Sequence, residues 1–207
     1  MLFDEGFGLN PAQGAAAVYL RQRYTLKPID LPSQLPPGAV LLAAQPRALP
    51  AEELVALDKW VRDSGKLVLL ADPMLEWPSE RALGARLRPP VRFADTGLLA
   101  HWGLRLDAPD LQGQRTVKLQ ADLSDPKSKP LDVGVVVLSP GSLVKQGGSC
   151  QVTLDQVYAE CVLGKGVALV VADADWLGDR AIEAATGKIN QNLYALGTII
   201  RAADNFR

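Results

Sequence analysis

The chain has 207 residues, 48% of them apolar, and a formal net charge of −1. That length suits one ordinary domain with a sizeable core. The charge balance excludes nucleic acid as the main partner, because phosphate binding needs a basic surplus on one face.

In chain order, residues 2–7 (LFDEGF) suit a short strand, broken by Gly8, Asn10 and Pro11. An Ala-rich run from Gln13 to Tyr24 has helical spacing. Pro28 and Pro32 then hold TLKPIDLP extended. AVLLAAQ (39–45) is continuously apolar and of strand length, as a central parallel strand buried on both faces would be. The following helix is the best marked in the chain. Pro50 lies in its first turn and Glu52 and Glu53 at the positive end of its dipole; Leu54, Leu57 and Val61 form its apolar stripe, and Gly65 stops it. KLVLLADP (66–73) is a second buried strand, so the segment reads as a βαβ unit.

Residues 74–95, rich in Pro and Arg, read as a long connection. Its basic cluster, Arg81, Arg86, Arg88 and Arg92, reads as a solvated loop. A short helix is expected over 96–102, and short β-like runs separated by Pro, Gly and Ser over 104–162 form a β-rich extension of the same single domain (1–207). VALVVADADWL (167–177) is a third buried strand, ending like the second in Ala-Asp, and 190–206 is a closing helix with Leu193, Leu196 and Ile200 inward. Gly197 weakens that helix by about 1 kcal/mol relative to Ala. The fold class is therefore α/β, with a mainly parallel Rossmann- or flavodoxin-like sheet covered by helices.

Three groups of residues bear on chemistry. Asp72, Asp173 and Asp175 fall at the carboxyl ends of buried strands, where open α/β sheets bind ligands. They read first as caps of the turns that follow and second as ligand or partner contacts; no metal site is expected, since no third ligand is spaced nearby. A hydrolase or a small-molecule sensor using these three aspartates is the alternative reading. His101 is the sole histidine and neither cysteine stands at a strand-to-helix elbow, so no catalytic set is assembled. GFGLNPAQG (6–14) only loosely matches a phosphate loop, and no nucleotide or other cofactor is expected. Among the four tryptophans, Trp77 in the long loop and Trp176 after the last strand are the candidates for an exposed binding platform, against a default of core packing.

If Asp155 and Gln156 are the central residues of a hairpin, Cys150 lies directly opposite Cys161. Opposed residues on antiparallel strands are within disulfide reach. The other reading is two independent buried thiols. A bond points to an oxidising compartment, hence an extracytoplasmic (periplasmic) location. The N-terminus lacks the basic and apolar regions of a signal peptide, and no run approaches the roughly 20 apolar residues of a membrane span. A membrane association is therefore expected only through a parent protein or complex.

The run from Ala39 to Pro73 resembles the central motif of the auxiliary extracytoplasmic domain of gliding-motility-type ABC transporter proteins: an apolar strand, a Pro-bearing turn, then Glu52–Glu53, Leu57–Asp58, Trp60–Val61, Gly65–Leu70 and Asp72–Pro73. LLAHWGL (98–104), GKGVALVVADADWL (164–177) and NQNLYALGTIIRAAD (190–204) are similar to later elements of that family, in the family's order. The resemblance implies a class I glutamine amidotransferase-like fold without the catalytic Cys-His pair. It also implies a non-catalytic role in binding a ligand or protein. The implied partners are the permease and ATPase subunits of a transporter or another envelope protein, with a glycan or small molecule as a further ligand class. Asp72-Pro73 standing where a catalytic cysteine would follow the strand agrees with that loss. Ser64-Gly65, where the family often has Gly-Gly, departs from the pattern.

Overall fold

The structure is a computed structural model. It describes residues 14–79, 82, 84, 85, 88–119, 133–152, 155–185 and 190–206, and the backbone alone at 2–4, 119 and 133. Most of GFGLNPAQG, together with Arg81 and Arg86 of the basic cluster, lies outside the described residues.

The order of elements is β1 (Leu2–Asp4), α1 (Ala15–Arg21), β2 (Lys27–Ile29), a 3-10 turn (Pro32–Gln34), β3 (Val40–Ala44), α2 (Ala51–Asp63), β4 (Lys66–Leu70), α3 (Leu98–His101), β5 (Leu104–Asp107), β6 (Gln114–Leu119), β7 (Val133–Leu138), β8 (Ser142–Lys145), β9 (Cys150–Val152), β10 (Tyr158–Leu163), β11 (Gly166–Val171), a second 3-10 turn (Asp175–Leu177), α4 (Asp179–Ala184) and α5 (Gln191–Asn205). Among the described residues, seven strands form one sheet in the order β2-β1-β3-β4-β11-β10-β9. From β2 to β11 every pairing is parallel; β10 and β9 add an antiparallel edge.

Alternation along the central strands explains their unbroken apolar runs. Leu42, Ala44, Val68, Leu70, Leu169 and Val171 point to one face, where Leu196, Ile199 and Ile200 of α5 and Val135 and Val137 of β7 cover them. Leu41, Ala43, Leu67, Leu69, Ala168 and Val170 point to the other face, covered by Leu57 and Val61 of α2 and by Leu99, Trp102 and Leu143. A strand buried on both faces has no solvent side to mark with polar residues.

The β-rich stretch of 104–162 divides in three. Strands β5 and β8 pair as one two-stranded sheet, β6 and β7 as another, and β9–β10 join the main sheet. In that last hairpin Cys161 pairs with Cys150, Glu160 with Gln151 and Ala159 with Val152, the register expected from a turn at Asp155–Gln156. The two cysteines are disulfide-bonded and fully buried.

Two helical details differ from the sequence reading. Glu53 does more than face the dipole of α2: its carboxylate accepts the Ser33 amide at 2.9 Å and the Ser33 hydroxyl at 2.8 Å, tying the 3-10 turn to the helix. Gly197 has a packing reason as well as a propensity cost, because a Cβ there would come within 2.2 Å of the Tyr19 hydroxyl. Asn190 caps α5 by accepting the Leu193 amide at 3.1 Å.

Candidate functional site

At the carboxyl ends of β4 and β11 the chain leaves the sheet, and its backbone amides lose their ladder partners. Asp72 follows β4; Asp173 and Asp175 follow β11. One oxygen from each lies within 4.8 Å of the others, and all three residues are at most 1% exposed. The structure thus brings together the three aspartates that the sequence singled out.

Their oxygens serve the backbone. Asp72 Oδ1 accepts the Met74 amide at 2.7 Å, and Oδ2 accepts the amides of Ala174 at 2.9 Å and Asp175 at 3.4 Å. Asp173 Oδ2 accepts the Leu138 amide at 2.9 Å, and Oδ1 accepts that of Trp176 at 3.1 Å. Asp175 Oδ2 accepts the Glu76 amide at 2.7 Å, while its Oδ1 is buried with no hydrogen-bond partner among the described residues. The capping role therefore extends well beyond the next turn. These three side chains join β4, β11, the end of β7 and the start of the long connection.

Burial pushes the Asp72 carboxyl above the usual range, opposed by the Ala174, Met74 and Asp175 amides and by a hydrogen bond with Asp173. Asp173 is raised further, by burial and then by the negative charge of Asp72 and Asp175. Asp175 is pushed up to about 7, mainly by burial, with the Glu76 amide opposing.

Sequence reasoning missed the polar residues that frame the cluster. Gln45, at the end of β3, takes φ 47°. Its Oε1 accepts the Asp72 amide at 2.9 Å and its Nε2 donates to the carbonyls of Asp72 at 2.9 Å and Pro90 at 3.0 Å. Ser139, after β7, takes φ 46°. Its hydroxyl accepts the Gly113 amide at 2.8 Å and donates to Glu76 Oε1 at 2.7 Å. Glu76 Oε2 lies 3.6 Å from the Arg180 guanidinium at the surface. The one available sequence signal was the polar residue closing each apolar run, at 45 and at 139.

The tryptophans require a correction. Trp176 is fully buried, because the 3-10 turn after β11 folds its indole into the core under α5 and β7. Trp77 is partly buried against the same core. His101 is surface-exposed at the end of α3, with Nε2 3.5 Å from Asp58 and 3.4 Å from the Arg62 guanidinium. Both sulfurs are engaged in the disulfide.

A family model described as a domain of unknown function, DUF4350, matches residues 10–192. No curated protein matches the chain. Among solved structures it is similar to the exo-β-1,4-mannosidase Op5Man5 from Opitutaceae bacterium strain TAV5, with TM-score 0.58 and 12% identity over 96% of this chain and 35% of that one. The cytoplasmic protein STM1381 from Salmonella typhimurium LT2 gives TM-score 0.54 and 11% identity over 93% of this chain and 88% of that one. A cold-adapted β-galactosidase from Rahnella sp. R3 gives 0.53 and 12% over 97% and 31%. At these identities the likeness is one of fold. The chain spans about a third of the length of the mannosidase, 35%.

Proposed function

We propose, for a chain that belongs to the DUF4350 family, that it is a non-catalytic ligand- or protein-binding domain of an ABC-transporter-associated cell-envelope protein. One observation carries the reading: the strand-end carboxylates are buried and turned to backbone amides, not presented to a substrate. Two further features support it. The cysteines are locked in a disulfide, so neither sulfur is a nucleophile, and His101 lies beside Asp58 and Arg62. A buried disulfide is compatible with an oxidising, extracytoplasmic compartment. No helix among the described residues is long and apolar enough to cross a membrane, so attachment to a transporter would come through a parent protein or complex.

The strand order β2-β1-β3-β4-β11 has the 2-1-3-4-5 form of flavodoxin-like sheets. It supports the finer expectation of a Rossmann-like, glutamine amidotransferase-like fold. The motifs shared with the auxiliary domain of gliding-motility-type transporters support the transporter association.

A second reading has one observation in its favour. Convergence of Asp72, Asp173 and Asp175 with raised affinities for protons is what an acid–base hydrolase or a sensor pocket would use. Their burial opposes it. One experiment separates the two. The full-length protein is purified from its native membrane in mild detergent, its co-purifying proteins are identified, and the same preparation is assayed against glycoside and ester substrates. Permease and ATPase subunits in stoichiometric amount with no turnover support binding. Turnover that disappears in Asp175→Asn supports the enzyme.

A further inference from the structure

Two observations at the end of the sheet combine. The first is mechanical. Asp72 and Asp175 hold the amides of Met74 and Glu76, the first turns of a connection that runs to α3. Asp173 holds the Leu138 amide, and Ser139 beside it donates to Glu76. Three carboxyl groups thus fasten two peripheral segments to β4 and β11. The second is electrostatic. Asp175 Oδ1 is buried with no hydrogen-bond partner among the described residues, and the one cation there acting on the three, Arg180, is paired with Glu76 and opposes the Asp175 shift less than burial raises it.

The groups facing the cluster are few. The connection supplies Glu76 and α4 supplies Arg180, which reaches Glu76. The ends of β3 and β7 and helix α5 supply the uncharged Gln45, Ser139 and Asn192. Three negative charges within 4.8 Å in such surroundings cannot coexist without a counter-charge. Calcium or magnesium takes six or more oxygen ligands, whereas five of the six carboxylate oxygens here already take backbone amides. A proton needs one open oxygen and no space.

We propose that Asp72, Asp173 and Asp175 form a proton-held latch that fastens the start of the 74–97 connection and the end of β7 to the sheet while protonated, and releases them when its protons are lost. Release begins at Asp175, because Glu76 and Arg180 lead from it to the surface. Ionisation makes Asp175 a stronger acceptor of the Glu76 amide, but it also adds the cost of a buried charge and repulsion from Asp72 and Glu76; hydration that relieves both costs frees the connection. The latch does not depend on what the domain binds.

The test uses the intact protein. Side-chain carboxyl carbon-13 shifts of labelled aspartate are followed between about pH 4 and 9, and amide protection, corrected for intrinsic exchange, is measured at Met74, Glu76 and Leu138. The expected result is a cluster carboxyl that titrates above about pH 6, with protection at Glu76 falling roughly tenfold from about pH 5 to 8 and by less than roughly threefold in Asp175→Asn. Titration of all three below about pH 5 would overturn the latch, and the wild type gives this reading even if the variant does not fold. Flat protection in the wild type, or an unchanged fall in the variant, would also overturn it. So would full restoration of protection at about pH 8 by calcium or magnesium chloride, which would assign the cluster to a cation.

Discussion

Reducing the Cys150–Cys161 bond tests whether the β9–β10 hairpin is held by chain entropy or by its own pairing. The bond closes a loop with a sequence separation of 11. For a loop of that length, the constraint on the unfolded chain amounts to about 3 kcal/mol at 25 °C. Strand β9 has only three residues, lies at the edge of the sheet and pairs at three positions, so it has little else to hold it. Both sulfurs are fully buried, and reduction leaves them in place with their packing nearly intact. The reduced wild type thus isolates the entropic contribution. The double variant Cys150→Ala, Cys161→Ala adds the loss of two buried sulfur atoms, about 1 kcal/mol each. Urea unfolding followed by tryptophan fluorescence, with and without reductant, should give losses of about 3 kcal/mol on reduction and about 5 kcal/mol for the double variant. The slope should rise on reduction, since the uncrosslinked chain exposes more surface when unfolded. A reduced protein within about 1 kcal/mol of the oxidised one, with unchanged slope, would refute the loop-closure argument.

Three other outcomes are expected. Asp72→Ala strips the acceptor from the amides of Met74, Ala174 and Asp175 and should cost about 3 kcal/mol or more by chemical denaturation. Gly166→Ala would put a Cβ 1.9 Å from the Val61 carbonyl oxygen and 2.3 Å from that of Gly65, both backbone atoms; a loss of about 3 kcal/mol or more, or failure to fold, is expected. The third concerns pH. Asp175 titrates near 7 when folded, against an ordinary value of 3.8, so the folded state binds the extra proton between those values. Its contribution is complete below about pH 4, declines as pH rises and is gone above about pH 7. The difference corresponds to about 4 kcal/mol, and in Asp175→Asn that part of the slope of unfolding free energy against pH should vanish.

The elements differ in how plainly the sequence announced them. The βαβ unit was legible because an apolar run, an amphipathic helix with a Pro start and a Gly stop, and a second apolar run each carry a local signal. The hairpin register was legible because a turn at Asp155–Gln156 fixes every pair beyond it. Trp176 was a candidate for an exposed platform because it follows a strand, against a default of core packing; which of the two holds depends on the path of a 3-10 turn and the space that α5 and β7 leave, and the indole is buried. Gln45 and Ser139 escaped notice because a lone polar residue after an apolar run looks like any loop residue. Their φ values of 47° and 46° and their partners in distant segments exist only in the folded chain.

Taken alone, the sequence determined the periodic features: three buried parallel strands, the principal helices and the opposition of two cysteines across a hairpin. These follow from side-chain period and turn position, which are properties of neighbouring residues. Tertiary structure alone decided that Asp72, about a hundred positions from Asp173 and Asp175, shares a buried site with them, and that their oxygens face amides instead of solvent. That outcome depends on which strands become neighbours in the sheet and on which backbone groups are left without ladder partners at its end. No local pattern encodes either.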